Sequence, residues 1–113
     1  MKLVRFVGSA KKDLSVFPNS VRNRAGHELF LVQVGREPDD WKPMPTVGPG
    51  ACEIRVRDAS GAFRVIYVAK FEDAIYVLHA FLKKTRKTAR EDIALAATRY
   101  QDALNHSKGN YRA

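Results

Sequence analysis

The chain has 113 residues, 45% hydrophobic and 28% charged, a length and mixture that can bury one core and that exclude a disordered polymer. Twenty Lys and Arg against twelve Asp and Glu leave a net charge of +8, which favours polyanionic partners, since neutralising a phosphate backbone releases counterions. Cys52 is the only cysteine, so an internal disulfide and a cysteine-rich metal site are excluded, and no apolar run reaches the length of a membrane span.

Residues 2–7 (KLVRFV) read as a strand ended by Gly8. The apolar stretch here is too short and too interrupted by charge for a secretory signal, so a soluble, cytoplasmic protein is expected. Ser9 can cap a short helix reaching about Val16, and Pro18 suits the first turn of a longer one. In that longer helix Val21, Ala25, Leu29 and Val32 recur at helical spacing, and Gly35 ends it as a left-handed C-cap. Residues 36–50 (REPDDWKPMPTVGPG) hold four of the five prolines and read as a long loop pinned by Trp41 and Met44.

Three strands follow. In CEIRVR (52–57) Cys52, Ile54 and Val56 share one face while Glu53, Arg55 and Arg57 share the other. FRVIYVAK (63–70) and IYVLHAFLK (75–83) are rich in β-branched and aromatic residues, and short connections predict an antiparallel meander. A last helix is expected over about 89–105, with Thr88 and Glu91 as a capping box and Ile93, Ala97, Tyr100 and Leu104 as its buried stripe. Residues 105–113 read as a frayed tail. The whole of 1–113 is a single α+β domain of order β-α-α-β-β-β-α, an antiparallel sheet packed against helices.

Strand alternation then predicts a site. If Ile54 and Val56 face the helices, and Phe63, Val65 and Tyr67 join them, Arg64 lies beside Arg55 on an open sheet face. KKTRKTAR (83–90) adds five basic residues and no acid at the end of the third meander strand. A groove edged by Arg55, Arg57, Arg64, Lys83, Lys84 and Lys87 would track a phosphate backbone. RNA cleavage by the substrate's own 2′-hydroxyl needs no metal and no protein nucleophile. It needs charge stabilisation at phosphorus, which arginine supplies bidentately, and proton transfers, for which Glu53 or His79 is the candidate base. His79 lies mid-strand in an apolar run, alternating with Val77 and Phe81, a setting more usual for a hydrogen-bonded core histidine. His27, His79 and His106 have no metal-ligand spacing among themselves or with Cys52. The plainer reading of KKTRKT is a solvated strand end.

The strand pair EIRVRDASGAFRVIYVAK, the block IYVLHAFLKKTRKT and a closing helix with D-I-x-L-A-x-x-R-Y together resemble the phage Gp49-like branch of the RelE/HigB toxins. PDDWKPM before the first meander strand fits that branch, and the resemblance runs from FVGSAKKDL through the last helix. It implies a RelE-like fold and the toxin of a type II toxin–antitoxin pair, typically a metal-independent and cofactor-free endonuclease of mRNA in the ribosomal A site. By position, Arg55 matches a basic residue on the first meander strand. Arg64 matches the arginine that contacts the scissile phosphate, and Lys84 falls where RelE has a catalytic arginine. The implied partners are mRNA on the ribosome and a helix-turn-helix antitoxin, with no membrane. This chain has Arg90 where RelE has a tyrosine, and Glu53 where RelE has a lysine. Two roles are open to Glu53, general base or partner of Arg55 or Arg64. The same scaffold serves ParE toxins, which inhibit DNA gyrase without cutting, and an inactive RNA-binding scaffold would share most of these residues.

Overall fold

The computed structural model describes residues 1–111, with side chains through Gly109. Strand β1 (Leu3–Phe6) leads into helices α1 (Ala10–Ser15) and α2 (Asn19–Gln33). Strands β2 (Trp41–Pro43), β3 (Ala51–Asp58), β4 (Gly61–Val68) and β5 (Ala74–Lys83) follow, and helix α3 (Arg90–Tyr111) closes the chain. The fold class is the predicted one with a strand added.

That strand, β2, lies in the proline-rich segment read as loop. Trp41, Lys42 and Pro43 pair antiparallel with Ile54, Glu53 and Cys52. Proline is tolerated there because β2 is an edge strand whose outer side needs no ladder donors. Three residues, one of them proline, carry no period for sequence reading to detect.

The sheet order is β1-β5-β4-β3-β2. The meander is antiparallel as expected, but β1 runs parallel to β5, with Leu3 opposite Ala74 and Phe6 opposite Val77. The sheet is therefore mixed at one edge: β4 occupies one side of β5, and β1 closes part of the other.

Both faces are covered, which corrects the expectation of one open face. On one face α1, α2 and the turn between them bury Leu14, Phe17, Val21, Ala25, Leu29 and Val32 against Ile54, Val56, Phe63, Val65 and Tyr67. All four residues of the predicted α2 stripe are there, each worth about 1.5–3 kcal/mol if large and fully buried. On the other face α3 lays Ala96, Tyr100 and Ala103 over Ile66, Val68, Tyr76 and Leu78, joined by Met44 and Val47 from the proline-rich segment. Ile93, Ala97 and Leu104 of the predicted α3 stripe are only half-buried, so the helix is rotated slightly from the expected face.

Two further expectations change here. A β-bulge interrupts the β4–β5 ladder: Ile66 pairs with His79 while Tyr67 pairs with Val77. Leu78 is the extra residue, so Leu78 and His79 both lie on the α3 side and His79 no longer shares a face with Val77. The tail read as frayed continues α3 to Tyr111, because buried Ser107 donates to Asp73 Oδ1 at 2.7 Å and docks the last turns. Residues 112–113 of that tail lie outside the described residues.

Candidate functional site

The pleat of β3 and β4 brings the predicted charged residues onto one face, the α3 side of the sheet. Arg55 stands directly opposite Arg64, and Arg57 opposite Ala62, which in turn pairs with Lys83 on β5. Glu53 lies opposite Ile66, and Ile66 opposite His79. Glu53, Arg55, Arg57, Arg64, Lys83 and His79 are thus neighbours across three strands.

Two like charges opposite each other are unfavourable, so a counter-charge is needed. Glu53 supplies it. Its Oε1 lies 3.4 Å from Arg64 Nε, with the two side chains 0% and 1% exposed. This contact is an ion pair without hydrogen-bond geometry, since both atoms lack a hydrogen-bond partner. Arg64 Nη1 donates to the carbonyl of Phe63 at 3.1 Å, and Glu53 Oε2 accepts from Thr88 Oγ1 at 2.8 Å. Arg55 Nε is also buried and unpartnered. Each unmet buried group costs about 1–3 kcal/mol, so the cluster retains polar capacity that an incoming oxyanion could satisfy.

The electrostatics agree with this geometry. Burial pulls the Arg64 guanidinium below its usual value; Glu53 opposes that, while Arg55 and Arg57 add to it. Lys83 is likewise lowered, first by burial and then by Arg64, against the pull of Glu53. An anion brought among these side chains would therefore meet cations whose mutual repulsion it relieves.

The remaining predicted residues sit around this cluster. Lys84 is the first residue after β5 and, with Lys83, Thr85, Glu91 and Asp92, lines a cavity of about 390 Å³. Lys87 and Arg90 are exposed, on the segment 84–89 and at the start of α3, and contribute no hydrogen bond or ion pair to the cluster. Arg57 is exposed and Arg55 half-buried. Arg64, expected on an open surface, is instead sealed, because α3 and the segment before it fold back over this face.

Two residues acquire partners that sequence reading missed. Thr88 was expected to cap α3, but the helix opens at Arg90 and the Thr88 hydroxyl goes to Glu53 instead. His79 is buried, with Nε2 2.7 Å from Asp92 Oδ1 in the first turn of α3 and its ring stacked on Phe81 at 4.6 Å. That is the hydrogen-bonded core histidine of the plainer reading, although its Nδ1 is left unpartnered. No local signal marks either pair, since the partners are 35 and 13 residues apart. Tyr67 points to the opposite core, where burial, with Cys52 nearby, holds its phenol well above the usual range. Among the described residues no group of three or more His, Cys, Asp or Glu side chains is arranged to hold a metal ion. No described helix is long and apolar enough to cross a membrane.

The family described as Phage derived protein Gp49-like matches residues 12–101. No curated protein matches the chain. Among solved structures, an arginine-to-alanine double mutant of E. coli toxin RelE in the free state is similar at a TM-score of 0.64 and 17% identity, over 87% of this chain and 96% of that one. The isolated E. coli RelE toxin gives 0.61 and 17%, over 94% and 98%. The intact E. coli RelBE toxin–antitoxin complex gives 0.60 and 17%, over 75% and 100%. At such identity the likeness is one of fold.

Proposed function

The chain belongs to the phage-derived Gp49-like family, and on that premise we propose that it is the toxin of a type II toxin–antitoxin pair, an endoribonuclease that cuts mRNA on the ribosome without a metal. The observation that carries the reading is the cluster of Glu53, Arg55 and Arg64, which holds both signs of charge and unmet donors on one sheet face.

In the proposed reaction the 2′-oxygen of the substrate attacks the adjacent phosphorus. The P–O2′ bond forms, the P–O5′ bond breaks, and the products are a 2′,3′-cyclic phosphate and a 5′-hydroxyl. Arg55 and Arg64 hold the non-bridging oxygens as charge builds on them. Glu53 Oε1, which has no hydrogen-bond partner, takes the 2′ proton. Lys84, beside the cluster, gives a proton to the departing 5′-oxygen. Arg57, Lys83, Lys87 and Arg90 follow the neighbouring phosphates. Because Arg64 is sealed in the free protein, the segment 84–89 gives way when the substrate enters. The proposed partners are mRNA on the ribosome in the cytoplasm and a helix-turn-helix antitoxin; the RelBE complex is the corresponding assembly of the E. coli protein.

The test is induced expression in growing bacteria, wild type beside Arg55→Ala and Lys84→Ala, with mapping of mRNA 5′ ends. Growth arrest with new ends inside translated messages, lost in the variants, is the expected result. Arrest with intact messages and poorly supercoiled DNA would overturn the nuclease in favour of a gyrase inhibitor. No arrest, with soluble protein present, would leave an inactive scaffold.

A further inference from the structure

From the hydrogen bond between Thr88 and Glu53, which ties the basic segment to the sheet, we infer that Thr88 is a positioning residue, holding Glu53 with one carboxylate oxygen occupied and the other free to accept the substrate's proton. The inference rests on the proposed nuclease reading and identifies which group selects the base.

Glu53 is fully buried, and its two oxygens are not equivalent. Oε2 accepts the Thr88 hydroxyl at 2.8 Å, whereas Oε1 has no hydrogen-bond partner and lies 3.4 Å from Arg64 Nε. A carboxylate anchored through one oxygen is restrained about its last bond, so the lone pairs of the other favour one direction. The free oxygen is also the one beside the arginine proposed to hold the phosphate, which brings base and charge stabiliser to the same point. His79, the rival base, also has a nitrogen without a partner, Nδ1, but its Nε2 is on Asp92, its ring is stacked on Phe81, and it is Glu53 that is paired with Arg64.

Thr88 belongs to neither the sheet nor α3. It ends the KKTRKT segment, four positions after Lys84, and α3 begins two residues later. The hydroxyl therefore links the orientation of Glu53 to the seating of the basic segment. If substrate entry shifts that segment, Thr88 must return to Glu53 for the base to be aligned. Cleavage then depends on the segment reclosing over the bound strand.

A purely structural tie would make the same contact, so the test needs a readout that stability alone does not move. Single-turnover cleavage of ribosome-bound mRNA is measured from mildly acidic to mildly alkaline pH for wild type, Thr88→Val and Thr88→Ser, alongside urea unfolding of each protein. Valine keeps the shape and removes the hydroxyl; serine keeps the hydroxyl. Removing a donor from a carboxylate favours its protonated form. Thr88→Val is therefore expected to cleave about tenfold more slowly, with the acidic limb of its rate profile moved to higher pH, and Thr88→Ser to stay within about threefold of wild type. A Thr88→Val protein that matches wild type at every pH would overturn the inference. So would a loss that is uniform across pH and shared by Thr88→Ser. A wild type that leaves the message intact would overturn the nuclease reading and this inference together, whereas a cleaving wild type matched by Thr88→Val removes only the role of Thr88.

Discussion

Glu53 and Arg64 form a buried ion pair whose nearest atoms, Oε1 and Nε, are 3.4 Å apart and hydrogen-bonded to nothing. The pair neutralises charge without using its directional capacity. Burying two ions costs several kcal/mol each, and imperfect geometry returns only part of it. A site arranged this way is poorly optimised for stability and keeps an unpartnered arginine donor that an anion could use.

Removing one member of the pair should be far worse than removing both charges. Arg64→Met leaves Glu53 buried without the cation it pairs with, and a loss of about 3–5 kcal/mol is expected. Glu53→Gln with Arg64→Met should recover most of it. Urea unfolding of the two singles and the double tests this; additive losses would mean that the pair is not coupled in the folded state.

Arg55 faces Arg64 directly across the β3–β4 ladder. Arg55→Ala removes a like-charge opposition worth about 0.2–1 kcal/mol, so the variant should be no less stable than wild type by more than its lost packing. Message cleavage should nevertheless fall by about a hundredfold, the scale of losing one charge-stabilising donor. Unfolding midpoints and cleavage rates on the same preparations separate the two effects.

Lys83 gives a pH signature. Burial and Arg64 lower its folded value below the usual 10.5. Between the lowered folded value and 10.5, the unfolded chain holds the proton more tightly, so stability rises with pH in that alkaline window. Below the folded value the charged lysine destabilises the fold. Lys83→Gln should therefore be the more stable protein at neutral pH relative to wild type, with the difference shrinking as pH rises through the window. Comparing the two proteins at each pH cancels the titration of the tyrosines.

Lys84 and Lys87 are exposed and lie outside both cores. The double variant Lys84→Ala, Lys87→Ala should leave the unfolding midpoint in place. If each neutralises one phosphate, it should reduce the slope of log affinity against log salt for single-stranded RNA by about 1.4, at roughly 0.7 per contact. An unchanged slope would remove both lysines from the backbone track.

Much of this architecture was legible because it follows from local rules. The α2 stripe of Val21, Ala25, Leu29 and Val32 obeys the helical repeat, and all four are buried. The alternation of β3 and β4 follows from the pleat, so the meeting of Arg55 with Arg64 could be read before any coordinates. Where a local rule was interrupted, the reading failed. The bulge at Leu78 moved His79 to the other face, and β2 was too short to show a period.

The residues of this chain by themselves determined every element but β2, the faces of β3 and β4 and the family to which it belongs, because these depend on neighbours a few positions apart. The tertiary structure alone decided that Arg64 is sealed, that Glu53 shares itself between Arg64 and Thr88, and that His79 is tied to Asp92. Each of those contacts joins a strand to a residue outside it, from 11 positions away for Arg64 and Glu53 to 35 for Thr88 and Glu53. Burial and hydrogen bonding at such separations are set by where α3 and its leading segment come to rest on the sheet, which no short window of sequence contains.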